Sequence, residues 1–180
     1  MARILIVGGG CRGRRLASAL VGEAHGGHAI RITTRTETGR AAIEQAGAEC
    51  WIGTPARLAT LRGALDSVAV VCWLLGAAAG SSEELLALHS DRLEFFLGQA
   101  IDTTVRGFVY EATGVTVAPE ILAAGERIVR SAGQRNSIPV AFLRANIAEP
   151  DSWQAYARAA VDGLLGRGAG IVTATRYPQN

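Results

Sequence analysis

The stretch Ile4-Leu5-Ile6-Val7-Gly8-Gly9-Gly10-Cys11-Arg12-Gly13 constrains the fold more than any other part of the chain. Four consecutive branched aliphatics, with no polar alternation, read as a strand buried on both faces, as in a parallel sheet covered by helices on either side. A turn out of such a strand needs one permissive residue. Four glycines within six positions mean that the backbone must come close to something. Beyond them Leu16 and Leu20 stand four apart on one helical face, with Arg14 and Arg15 off it, so strand, glycine loop and helix follow in order.

The alternation continues along the chain. Gly26-Gly27 closes the first helix, His28 to Thr34 is a second strand carrying Ala29, Ile30 and Ile32, and Thr38 to Ala46 is a second helix stopped by Gly47. Ala48 to Ile52 is a third strand. Thr54-Pro55 then reads as N-cap and first turn of a helix lined by Leu58, Leu61 and Leu65. Val68 to Leu75 is the most apolar strand and is expected at the centre. Ser81 and Glu84 form a capping-box pattern ahead of one long helix, with Leu86, His89, Leu93 and Phe96 on its inner face. Strands over Gly107 to Ala112 and Pro139 to Leu143 flank a helix over Pro119 to Ala132. A last helix, Asp151 to Leu165, shows Trp153, Tyr156, Ala160 and Leu164 on one side. Six strands separated by helices predict an α/β fold: one doubly wound parallel sheet in a three-layer α/β/α arrangement. Residues 1–166 read as a single domain and 167–180 as a weakly patterned tail.

Composition narrows the function classes. A net charge of +2 is too small to imply nucleic acid or an anionic membrane as partner. The longest apolar stretch, Val68 to Gly80, has 13 residues where a membrane span needs about 20. Cys11, Cys50 and Cys72 are odd in number and lack metal-site or redox-motif spacing, so no metal and no disulfide framework is expected. The opening lacks the charged region and cleavage site of a secretory signal, and the expected compartment is the cytoplasm. All 18 basic residues are arginine.

In its setting the glycine cluster gains meaning. Gly8-x-Gly10-x-x-Gly13 directly follows a strand and opens a helix, the context in which this spacing cradles a dinucleotide. Gly8 turns tightly, Gly10 admits a pyrophosphate to the backbone, and Gly13 lets helix and strand pack closely. The helix N-terminus then presents unpaired N–H groups to the anion. In an NAD site a carboxylate about 20 residues on binds the ribose 2′-hydroxyl. Here the end of the second strand reads Arg31-Ile32-Thr33-Thr34-Arg35-Thr36, with no carboxylate before Glu37. Arg35 suits a bidentate contact with a 2′-phosphate, and Arg12 is placed to reach it from the glycine loop. The expected cofactor is therefore NADP, with NAD as the alternative.

These residues carry a resemblance. The chain resembles the NAD(P)-binding Rossmann domain of the atypical and extended short-chain dehydrogenase/reductases, including NAD-dependent epimerase/dehydratases and NmrA-like proteins. "ILIVGGGCRGRRLA" is similar to their cofactor loop, "VVCWLLGAA" to the fourth strand and its loop, "GFVYEATGV" to the fifth strand, and "IPVAFLRANIAEP" to the sixth. The resemblance covers about Ala2 to Pro150. It implies a cofactor site built from Gly8, Gly9, Gly10, Cys11, Arg12, Gly13, Thr34, Arg35, Leu74, Leu75, Gly76 and Thr113. Thr113 would take the active-site Ser/Thr position, and Ala145 to Ile147 would lie near the nicotinamide.

One part of the pattern is missing. Those enzymes use a Tyr-x-x-x-Lys pair, whose lysine lowers the tyrosine pKa for proton transfer. Four residues beyond Tyr110 and Tyr156 stand Gly114 and Ala160, and the chain contains no lysine. About thirty residues follow Pro150, which argues against a sugar-nucleotide epimerase. The superfamily is mostly enzymatic, which points first to a small oxidoreductase passing hydride to an unidentified small organic acceptor. Thr113 is the catalytic candidate, and Glu111, two residues earlier on the same strand face, is expected at a surface edge. The alternative is a non-catalytic, NADP-sensing or regulatory module of the NmrA-like kind. The long amphipathic helices leave homodimerisation open.

Overall fold

The computed structural model describes residues 1–8, 10–22 and 27–166. Six strands, β1 (Arg3–Val7), β2 (Ala29–Thr34), β3 (Glu49–Ile52), β4 (Val70–Trp73), β5 (Gly107–Glu111) and β6 (Val140–Leu143), form one sheet in the order β3-β2-β1-β4-β5-β6. Every pairing is parallel. The predicted doubly wound sheet is the observed one. The chain winds outward from β1 to β3 and then returns to start again at β4, which opens a crevice above the carboxyl ends of β1 and β4.

Six helices cover the sheet: α1 (Cys11–Val21), α2 (Arg40–Gln45), α3 (Ser82–Leu88), α4 (Asp91–Ile101), α5 (Pro119–Asn136) and α6 (Pro150–Leu164). Alternate residues of each strand enter opposite layers, which is why Ile4-Leu5-Ile6-Val7 is apolar without a break. Ile4 and Ile6 pack with Leu16 and Leu20 of α1 and Trp153 of α6. Leu5 and Val7 face the other way, toward Trp73, Phe96 and Phe108. The polar positions of β2 are not solvent positions either. Arg31 is buried, donates to the Ala64 carbonyl at 2.8 Å, pairs with Glu49 at 3.0 Å and lies over the Trp51 ring.

Several local expectations need correction. The helix expected after Thr54-Pro55 is replaced by a turn bridged between Thr54 and Arg57 and by two short 3-10 turns, Leu58–Leu61 and Gly63–Leu65. Thr60 hydrogen-bonds back to Thr54 and Arg57, and Trp51 Nε1 donates to the Thr60 carbonyl, so side chains hold the segment curled against β3. The helix after the Ser81–Glu84 capping box does form a box, yet it breaks at His89 and Ser90 into α3 and α4. Leu86, expected on the inner face, is exposed, while His89, Leu93 and Phe96 stay inside. On α6 the buried stripe is Trp153, Ala157, Ala160 and Val161, and Tyr156 faces out. The first helix ends at Val21 with Gly22 as C-cap; Gly26, expected to close it, lies outside the described residues, as does the tail 167–180. No helix among the described residues is long and apolar enough to cross a membrane.

A buried polar pair sits at the break in the long helix. His89 Nδ1 lies 2.7 Å from the Tyr110 hydroxyl, which donates to the Leu122 carbonyl at 3.3 Å. Gly125 makes room for it, since a Cβ there would overlap the phenol oxygen. Burial pushes the Tyr110 hydroxyl up, with Glu126 and Glu111 adding to it, and lowers His89 to about 4. His89 is therefore neutral in the native protein, whereas the unfolded chain takes up a proton near 6.5. Stability is full above that value and falls as pH drops toward about 4, by up to about 3 kcal/mol. Urea unfolding across this range should show the loss, and His89→Gln should remove that part of the pH dependence.

Candidate functional site

The crevice is a cavity of about 580 Å³ above the carboxyl ends of β1, β2, β3 and β4, inside the range of roughly 300–1,000 Å³ usual for small-molecule sites. Its floor is the glycine loop. Gly8 has φ of +125°, a conformation that side chains rarely adopt, and its position against the Leu74 carbonyl leaves no space for a Cβ. Gly13 faces the Gly8 carbonyl oxygen equally closely, so the first turn of α1 seats directly on the end of β1. Gly10 differs. It is the N-cap of α1 at φ −65°, and a Cβ there would meet open space. No side chain caps this helix and no acidic residue stands in its first turn, so its leading N–H groups face the cavity edge without a competing carboxylate.

Of the residues expected at a cofactor, Gly8, Gly10, Cys11, Arg12, Gly13, Thr34, Arg35, Leu74 and Leu75 line this cavity together. Gly9 lies outside the described residues. Gly76 and Thr113 are not part of the wall. Gly76 donates its N–H to Glu111 at 2.7 Å, and the Thr113 hydroxyl donates to the Ala145 carbonyl at 3.1 Å. Trp73 is fully buried in the core against Phe96.

Arg12 lines the cavity, but its guanidinium turns inward. It pairs with Glu111 at 3.0 Å and lies 5.5 Å from the centre of the Trp153 ring. Glu111 is fully buried, not the surface-edge residue that the strand position suggested. It also accepts from Trp153 Nε1 at 3.2 Å, so one carboxylate ties together α1, the loop after β4 and α6. Burial pushes this carboxyl upward, against Arg12, the Gly76 N–H and Trp153, which hold it down. Replacing Glu111 with leucine leaves the Arg12 charge and two N–H donors without their acceptor. The expected loss is about 3–5 kcal/mol in chemical denaturation, with a smaller loss for Glu111→Gln.

The opposite rim carries residues that pattern reading missed. Thr54, Pro55 and Ala56 close the end above β3, and Glu84, Leu88 and Arg92 reach in from α3 and α4. Arg35 and Arg92 form no ion pair within 4.0 Å among the described residues. Their field is felt at Glu84, whose carboxyl lies below the ordinary carboxylate range through hydrogen bonding from Ser81, with Arg92 and Arg35 contributing. Arg92 lies far beyond Arg35 in the chain, on α4 just after the break from α3, and lines the same cavity. The thiol of Cys72 is buried in the sheet and pushed up to about 12, which leaves it inert, while Cys11 is exposed at the cavity.

No protein-family model matches the chain, and no curated protein is significantly similar to it. Solved structures do match. UDP-glucuronic acid 4-epimerase from Bacillus cereus, in complex with NAD, superposes with a TM-score of 0.62 at 15% identity, over 79% of this chain and 55% of that one. Triphenylmethane reductase from Citrobacter sp., complexed with NADP(H), gives 0.60 at 19%, over 80% and 49%. A short-chain dehydrogenase/reductase superfamily protein from Agrobacterium tumefaciens with bound NAD gives 0.63 at 19%, over 93% and 63%. The fold is Rossmann-like. This chain spans between 49% and 63% of the lengths of these three proteins.

Proposed function

We propose that the chain binds NADP(H) in this crevice, with the pyrophosphate on the glycine loop and the 2′-phosphate at Arg35. The observation behind the reading is the meeting, in one cavity, of Gly10, the uncapped N-terminus of α1 and Arg35 at the end of β2, which forms no ion pair among the described residues. Arg35 stands where an NAD site places a carboxylate, and its fork matches a phosphate dianion. NAD is the alternative ligand.

Once a nucleotide is bound, the geometry favours a regulatory or sensing module over a catalyst. The Thr113 hydroxyl is engaged by the Ala145 carbonyl, Glu111 is locked by Arg12, Gly76 and Trp153, and Tyr110 is buried against His89. None of these groups is free to pass a proton to a substrate. The second reading is the small oxidoreductase. It draws on solved proteins of the same fold that include a reductase crystallised with NADP(H), and would rely on orienting the nicotinamide with solvent as proton source.

Titration calorimetry with NAD, NADP and NADPH tests the first step: both phosphorylated forms should bind at least about tenfold tighter than NAD. A screen of quinones, flavins and enals as acceptors tests the second. Sustained NADPH oxidation by any of them gives the oxidoreductase reading the better claim.

A further inference from the structure

We infer that the cavity recognises the 2′-phosphorylated ADP half of the dinucleotide and leaves the nicotinamide outside, so that the chain reads NADP(H) supply and not its redox state. This rests on the NADP(H) reading above and specifies which part of the ligand the protein touches. The cavity wall is drawn from the glycine loop, the ends of β2, β3 and β4 with the loops that follow β3 and β4, and α3 with the start of α4. The ends of β5 and β6 and the whole of α6 contribute no residue to it.

The reason is a strap across the far side. The loop after β4 and the loop after β5 close on each other, with Val115 N–H donating to the Gly76 carbonyl at 3.1 Å and the Thr116 hydroxyl to the Ala78 carbonyl at 2.7 Å. Contact is so close that a Cβ on Gly76 would overlap the Thr113 carbonyl oxygen, and one on Gly114 would overlap that of Gly76. From below, the Glu111 carboxylate takes the Gly76 N–H. Thr113 is drawn away toward β6 by its bond to Ala145.

The polar groups divide along the same line. At the adenosine end Arg35 and Arg92 carry charge with no ion-pair partner among the described residues, whereas at the β5 end Gly76 N–H, the Thr113 hydroxyl and Glu111 are all engaged within the protein. A carboxamide oxygen passing over the strap gains no hydrogen bond from the Gly76 N–H or the Thr113 hydroxyl without breaking one. Oxidised and reduced nicotinamide then meet the same surroundings, and a ligand pair with equal affinity shifts no equilibrium.

Calorimetry on the full chain with 2′-phospho-ADP-ribose, NADP, NADPH and nicotinamide mononucleotide decides the matter. The first three should bind within about threefold of one another and the mononucleotide should give no heat. NADPH should keep the emission of the free cofactor, because its ring stays in water. NADP or NADPH binding more than about tenfold tighter than 2′-phospho-ADP-ribose, or a blue-shifted and enhanced emission, overturns the inference and leaves the cofactor reading standing. NAD and ADP-ribose matching the phosphorylated ligands would remove the 2′-phosphate from it. Failure of all of them to bind overturns both.

Discussion

Arg35→Ala weakens NADP and NADPH binding by about 10- to 100-fold and leaves NAD unchanged, as read by calorimetric titration. The size comes from a hydrogen-bonded contact to a charged group, about 1.5–3 kcal/mol, where 1.4 kcal/mol is a factor of ten. Arg35 is exposed at the end of β2 and lines the cavity without an ion-pair partner among the described residues, so no ion pair among them is broken when it goes. Stability should therefore move by less than about 0.5 kcal/mol. The same contact is reached by water and ions, so the preference for the phosphorylated forms should shrink as salt rises. Arg35→Lys recovers only part of it, because an ammonium keeps the charge and loses the fork. An equal loss for all three nucleotides would mean that the residue shapes the cavity and reads no phosphate. Unchanged affinity for all would pass the phosphate to Arg92.

The glycine loop offers a second test, in which two neighbouring substitutions act on different properties. Gly10→Ala should leave the midpoint of urea unfolding nearly unchanged, since Gly10 has an ordinary negative φ and its Cβ would enter open space. That open space is the approach to the first turn of α1, so nucleotide affinity should fall by at least about tenfold. Gly13→Ala does the opposite. Its Cβ would overlap the carbonyl oxygen of Gly8, which is backbone and cannot rotate aside, so α1 must lift from β1. A loss of about 1–3 kcal/mol or more is expected before any ligand is added. Equal affinity of the Gly10→Ala variant and the parent for NADP would remove the glycine loop from the binding site.

Much of the fold and one side of the site were legible in the chain. Continuous apolar runs at Ile4 to Val7 and Val68 to Leu75 place β1 and β4 at the sheet centre because only double burial makes a strand apolar on both faces. Gly8, Gly10 and Gly13 could be assigned separate tasks from their spacing, since strand, turn and helix are local structures. Local pattern misleads where a residue's surroundings come from far along the chain. Glu111 reads as an edge residue, and is buried because Arg12 and Trp153 arrive from 99 and 42 positions away. Arg12 is spaced to meet a phosphate and is turned aside by that same carboxylate. Thr113 fits a catalytic position by resemblance until β6 and the loop beyond it supply the Ala145 carbonyl.

Sequence alone determined the winding of the sheet and the glycine turn, because periodicity and backbone permissiveness need no tertiary information. Only the folded chain decided which arginine is tied to the buried Glu111 and which loops close on each other. Those outcomes depend on distances between segments remote in sequence, where one hydrogen bond to a buried carboxylate redirects a side chain that local pattern leaves free.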